Sequence, residues 1–177
     1  MARTPPLLPF ETLRRVLRTA RFDGTIVLVL SGAFALIAAI AHDVTGAGTG
    51  LAIAAAGAME LHGAGLLRDR EEKGMHWLIA SQLFLLACVL WYTNYRLNHF
   101  SVDEMKALLK NVESPEMLSD LQGTFRSRGV SADEALRDFN QFCCLVIGIG
   151  TVLYQGGMAF YYRSRQGVIS TALKEGD

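Results

Sequence analysis

The chain has 177 residues, 51% of them hydrophobic, and its 17 basic residues balance its 17 acidic ones. That length fits one domain, and several long apolar runs place it in the membrane class. No dense basic patch lies beyond the N-terminal arginines, which argues against nucleic acid as a partner, and no phosphate loop, nucleophile elbow, metalloprotease helix or dinucleotide fingerprint supports enzymatic chemistry.

Residues 1–24 form a basic, amphipathic N-terminal segment, and the first 25 residues hold five arginines against two acids. Phe10, Leu13, Val16, Leu17 and Ala20 recur at steps of three and four, with Arg14, Arg15, Arg18 and Arg21 elsewhere on the helical wheel. That pattern fits a helix lying in an anionic membrane surface, and equally an ordinary juxtamembrane segment. The first apolar run, residues 25–41, is expected to cross the membrane. Ala39-Ile40-Ala41 has the look of a signal-peptidase site, but the leader before the apolar core is too long for a signal peptide, so the segment is expected to stay.

The second run, residues 51–67, is rich in alanine and glycine and carries Glu60 and His62. Glu60 reads as the one charged residue enclosed by an apolar run. An acid at that depth costs roughly 2.5–3.5 kcal/mol on insertion scales, which makes it a functional candidate. Two residues of separation put Glu60 and His62 on nearly opposite sides of the helix, which rules out a compact Glu-His dyad and leaves His62 as a polar helix contact. Ile53, Ala56, Gly57, Gly63 and Ala64 accompany Glu60, and Ala55, Ala58 and Gly65 accompany His62. Small residues all round predict a central helix, or one shared with a second copy or another membrane protein.

The third run, residues 75–97, has Trp77 near one end and Trp91, Tyr92 and Tyr95 near the other, as expected of the two bilayer interfaces. Residues 98–141 read as a small helical cap on the extracytoplasmic side. Ser101-Val-Asp-Glu104 and Ser131-Ala-Asp-Glu134 have capping-box spacing, and Ser114-Pro115-Glu116 opens a further helix. No breaker follows the last of these, so it is expected to run directly into the fourth span, residues 142–162. Arg163 and Arg165 come next, and the tail, residues 163–177, is expected to be polar and frayed.

Basic residues crowd the N-terminus, the link after residue 67 and the exit of the fourth run, while residues 42–50 hold no lysine or arginine. The positive-inside rule therefore places both termini in the cytoplasm. The expected fold is an all-α integral membrane protein, with four transmembrane helices in an up-down bundle. The expected location is the plasma membrane, or the inner membrane in a bacterium.

Counting inward from Thr25, Leu67, Met75 and Tyr162 puts a polar side chain on every helix at one depth: Ser31, Glu60, Ser81 or Gln82, and Gln155. Ser81 and Gln82 differ by about 100 degrees on the wheel, so one of them faces Glu60 better than the other. Cys88, Cys143 and Cys144 have no metal-type spacing and are expected as free thiols. His42 and His99 fall at interfacial positions unsuited to haem, so neither a metal nor a cofactor is expected. The leading functional expectation is a non-enzymatic accessory, assembly or interaction subunit in the lipid bilayer. The alternative is a small transporter or proton or ion conduit using Glu60, with the polar layer otherwise locking the register of the bundle.

Overall fold

The computed structural model describes residues 9–102 and 131–174, and among these every regular element is a helix. They are α1 (Pro9–Ile40), α2 (Val44–Arg68), α3 (Lys73–Asn98) and α4 (Ala132–Lys174). All four are long and apolar enough to cross a membrane. The chain divides into two compact units, Met1–Leu90 with Thr151–Asp177, and Trp91–Gly150.

Helix length sets the first constraint on the larger unit. The 32 residues of α1 rise about 48 Å and the 43 of α4 about 64 Å, well beyond a hydrocarbon core of roughly 30 Å. α1 starts at Pro9, whose fixed φ suits a first helical position, and runs through Thr25 without a break. Leu13, Val16 and Ala20 form a buried cluster with Ala64, Leu67, Met75, Leu78, Tyr162, Ile169 and Leu173. Most of the apolar face that the sequence offered to a membrane surface is thus covered by protein, while Arg14, Arg15, Arg18 and Arg21 point outward. The tail differs from expectation too. It stays helical to Lys174, because Ile169, Ala172 and Leu173 give it an apolar stripe to bury.

Polar contacts pin that tail beside the second link. Ser170 Oγ donates to Glu72 Oε1 at 2.6 Å, Lys174 Nζ lies 3.8 Å from the same oxygen, and Gln166 Nε2 stands 3.4 Å from His76 Nε2. The links themselves are tight, and each contains one residue in the left-handed region, His42 at φ 59° and Arg70 at φ 67°. Asp43 caps α2 by accepting from Gly46 N at 2.8 Å, satisfying a donor that the helix start would otherwise leave free.

Consecutive helices in this unit run antiparallel. Gly24 of α1 meets Gly57 and Leu61 of α2, while Ala35 meets Gly50 and Ala38 meets Gly46. A Cβ on Gly57 would stand 2.7 Å from Leu28 N and 2.8 Å from Gly24 O, so the two backbones touch directly and no side chain fits between them. Gly63 packs in the same way against Gly74, Trp77 and Leu78 of α3. α2 is the most buried of the four helices, which gives its small residues their central place.

In the smaller unit the end of α3 carries an aromatic ladder. Trp91 stacks on Tyr95 with centroids 5.8 Å apart, and Tyr95 stacks on His99 at 4.4 Å. Ser131 caps α4 by accepting from Glu134 N at 3.2 Å, and the helix then continues uninterrupted through residues 142–162. The cysteines are free thiols. The expected motifs at Ser101–Glu104 and Ser114–Glu116, with most of the expected cap, lie at least partly outside the described residues.

Close backbone approach gives a direct test. Gly57→Ala is expected to destabilise the protein by about 1–3 kcal/mol through overpacking, as measured by unfolding in mixed micelles. Gly65→Ala, where nothing lies within 4 Å of the added carbon, is expected to stay within about 0.5 kcal/mol of the parent.

Candidate functional site

The site grows from the antiparallel pairing of α1 and α2. Because Gly24 sits on Gly57, its neighbour Asp23 is brought beside Glu60, and the Cβ position of Gly24 lies 3.3 Å from Glu60 Cβ. Both acids are buried, Glu60 to 1% exposure and Asp23 to 8%. The two carboxyls lie within interaction range of each other, and Gln82 of α3 reaches both.

α4 closes the site with two hydroxyls. Tyr162 OH donates to Glu60 Oε1 at 2.7 Å, and Tyr154 OH donates to Asp23 Oδ1 at 2.9 Å. Gln82 Nε2 donates a longer bond of 3.4 Å to Asp23 Oδ2. Tyr162 is fully buried, whereas the ring of Tyr154 is half exposed, so one hydroxyl is enclosed and the other belongs to a side chain at the outer surface. Every group found against the two carboxyls among the described residues is neutral. Two ion pairs, Arg68 with Asp69 and Lys174 with Glu72, lie near the second link.

The other expected residues divide clearly. Gln82, not Ser81, turns toward Glu60, while Ser81 Oγ donates to Leu78 O at 2.9 Å within its own helix. Ser31 is buried and donates to Val27 O, again within its own helix. Gln155 is buried on the stripe of α4 that also carries Tyr162, and its Oε1 has no hydrogen-bond partner among the described residues. His62 is exposed on the far side of α2 and meets Trp77 edge-on, with centroids 5.1 Å apart. The structure therefore assembles Asp23, Glu60, Gln82, Tyr154 and Tyr162, and leaves Ser31, Ser81 and His62 outside the cluster.

Asp23, Tyr154 and the bond of Tyr162 to Glu60 escaped the sequence reading, although Tyr162 shares with Gln155 a stripe of the fourth run that reads as an interior seam. The depth count began α1 at Thr25 and ended α4 at Tyr162, yet both helices pass those points, which moves the layer toward the N-terminus on α1 and toward the tail on α4. The missed signal was the apolar stripe of α1. Continued from Val16 and Ala20 by steps of three and four, it arrives at Asp23 and Gly24.

Chemically, the arrangement is a pair of acids with oxygen and amide partners. No group of three or more His, Cys, Asp or Glu side chains able to hold a metal ion arises among the described residues. No protein-family model, curated protein or solved structure matches the chain. The described residues form four long helices, each apolar enough to cross a membrane, and the larger unit holds a buried carboxyl pair.

The Tyr162 bond has a measurable worth. Tyr162→Phe is expected to cost about 1–3 kcal/mol of unfolding free energy in detergent, the range for a buried hydrogen bond to an acidic group. Tyr161→Phe, one residue away and off the pair, is expected to change it by less than about 0.5 kcal/mol.

Proposed function

We propose that the chain is a small proton-coupled conduit or transporter of the plasma membrane, or of the inner membrane in a bacterium, and that Asp23 and Glu60 carry the proton. The observation that carries this reading is the burial of two adjoining acids with neutral partners only. Two adjoining carboxylates in an apolar interior cannot both stay charged without a counter-charge, and intramembrane acids of this kind mark proton and ion paths. A proton is the smallest counter-charge and is exchanged through hydroxyls. Tyr154, with its ring at the surface and its hydroxyl on Asp23, supplies such a route.

In this reading the helices form an up-down bundle with both termini cytoplasmic, and the segment of residues 98–141 lies on the opposite side. The hydrophobic cluster of Val16, Leu67, Leu78 and Ile169 then stands between the carboxyl pair and the cytoplasm, as a dry closure. Support for the orientation comes from the arginines on the outer face of α1 and from Arg163 and Arg165.

A second reading, an accessory or assembly subunit, is supported by a different surface. Leu51, Ala55, Ala58 and His62 are exposed along one side of α2, a small-residue face of the kind that packs against another helix. A second copy or a partner membrane protein would occupy that face, with the carboxyl pair then fastening the bundle.

Reconstituted vesicles separate the two. With an imposed pH gradient and a pH-sensitive dye inside, the parent protein is expected to dissipate the gradient and Glu60→Gln to slow this at least tenfold, on the order of the loss for removing a group that handles the proton. Absence of flux in the parent, with assembly unchanged in Glu60→Gln, would give the accessory reading precedence. Orientation is checked by labelling single cysteines in a background lacking the native three. Val44→Cys, 84% exposed in the parent, is expected to react from outside the cell, and Lys73→Cys only after permeabilisation.

A further inference from the structure

The outer face of α1 carries charge that the fold leaves unpaired. Arg14, Arg15, Arg18 and Arg21 are all exposed, and among the described residues none of them takes part in an ion pair. Asp23, the acid that follows them, is turned inward to Tyr154 and Gln82. Glu11, the other acid of this helix, stands in the first turn, ahead of all four. Beyond Asp23 the helix has no charged residue as far as Ile40. Its outward side chains from Phe22 onward are largely apolar, with Phe22 69% exposed, Val29 59% and Leu30 66%. The outer face thus changes from cationic to apolar in little more than one turn, between Arg21 and Ile26.

An open groove lies across that change. Arg14, Arg18 and Arg21 line one end of it, and Phe22, Thr25 and Ile26 line the other. Positions 14, 18, 21 and 25 follow steps of four and three, so they share one stripe, while Val16, Ala20 and Asp23 face the protein on the opposite side. We propose that this groove binds an anionic phospholipid, with its phosphate on the guanidinium groups of Arg14, Arg18 and Arg21 and an acyl chain along Phe22 and Ile26. Charge complementarity selects the headgroup. Guanidinium groups without a carboxylate partner take phosphate oxygens in paired hydrogen bonds, whereas a zwitterionic headgroup brings a cation that the arginines repel. The apolar end selects the lipid over a free phosphate, which would leave Phe22 and Ile26 uncovered.

The dimensions agree with a lipid standing beside the helix. From Phe22 to Ile40 α1 rises about 28 Å, close to the roughly 30 Å of a hydrocarbon core. From Arg14 to Arg21 it rises about 10 Å, and long arginine side chains can bend along the axis to bring their charges to one level. This is not a helix lying flat on the membrane, because Val16 and Ala20 are enclosed by protein and only the arginine side is offered to lipid. The inference rests on α1 crossing a bilayer, as in the reading above, and is independent of what the carboxyl pair does.

Retention of radiolabelled dioleoyl phosphatidylglycerol by the full-length protein, immobilised in neutral maltoside micelles, tests the site, with dioleoyl phosphatidylcholine as the comparison. Expected is saturable retention of phosphatidylglycerol at a half-saturating mole fraction at least about tenfold below that of phosphatidylcholine, a preference that shrinks in about 1 M sodium chloride as the charges are screened. Arg14→Gln with Arg18→Gln is expected to raise that mole fraction about 25-fold, some fivefold for each arginine removed. Arg163→Gln, exposed on α4 outside the groove, is expected to change it by less than about twofold. Glycerol phosphate, which has the headgroup and no chain, is expected not to displace the lipid. Equal retention of the two lipids by the parent protein overturns the site, and so does an unchanged mole fraction in a folded double variant. A loss in Arg163→Gln as large as in the double variant reduces the effect to general surface charge and overturns the groove. Displacement by glycerol phosphate overturns the lipid as occupant. The cysteine labelling at positions 44 and 73 reads the membrane crossing separately, so that its failure and the failure of the lipid site are distinguishable.

Discussion

The bond from Tyr162 to Glu60 joins the last helix of the chain to the second at a fully enclosed point, across 102 residues of sequence. Everything around it follows from keeping an acid there. Glu60 must have a donor, and the tyrosine supplies one. The contact of Gly24 with Gly57 sets a second acid, Asp23, beside it, so that the two cannot both be charged without a counter-charge. Where two backbones touch, no side chain can screen the acids from each other, so the glycines of the interface are part of the electrostatics as well as the packing.

Two different forces hold the bundle at its two levels. Beyond the carboxyl layer toward the second link, α1 bears arginines on its outer face and buries Leu13, Val16, Ile169 and Leu173 within. In water, burial of each such side chain contributes about 1.5–3 kcal/mol. On the other side of the layer, Val29, Leu30, Phe34, Leu36 and Ile37 of α1 are exposed, as suits contact with lipid tails. In lipid the hydrophobic effect gives no preference for protein over its surroundings, and the close packing of Ala35, Gly50, Ala54 and Gly57 would take its place. The carboxyl pair lies where these regimes meet.

Much of the architecture was legible in the sequence because it rests on composition and period. Apolar runs gave the four helices, alanine and glycine gave the central place of α2, and the lack of a breaker after Ser131 gave the continuous α4. The site was legible by half. Glu60 stood out because its surroundings are apolar in sequence, and Gln82 and Gln155 because they are polar within long runs. Asp23 did not stand out, since its immediate neighbours are Arg21, Phe22 and Gly24, and an acid near arginines reads as surface. Only the register of α1 on α2 shows that its side chain turns inward. Tyr162 falls on the same stripe as Gln155 and so reads as interior, but its bond to Glu60 was hidden, since an aromatic residue before Arg163 also has the look of an interfacial belt.

The central claim is that Asp23 and Glu60 form one site and not two separate buried acids. A double-mutant cycle of Asp23→Asn and Glu60→Gln, read as unfolding free energy in mixed micelles, addresses it most directly. The shared site predicts that the two changes fail to add, with a coupling of at least about 1 kcal/mol, because either one alone removes the need to balance the other charge. Additivity within about 0.3–0.5 kcal/mol, the behaviour of independent positions, would contradict it.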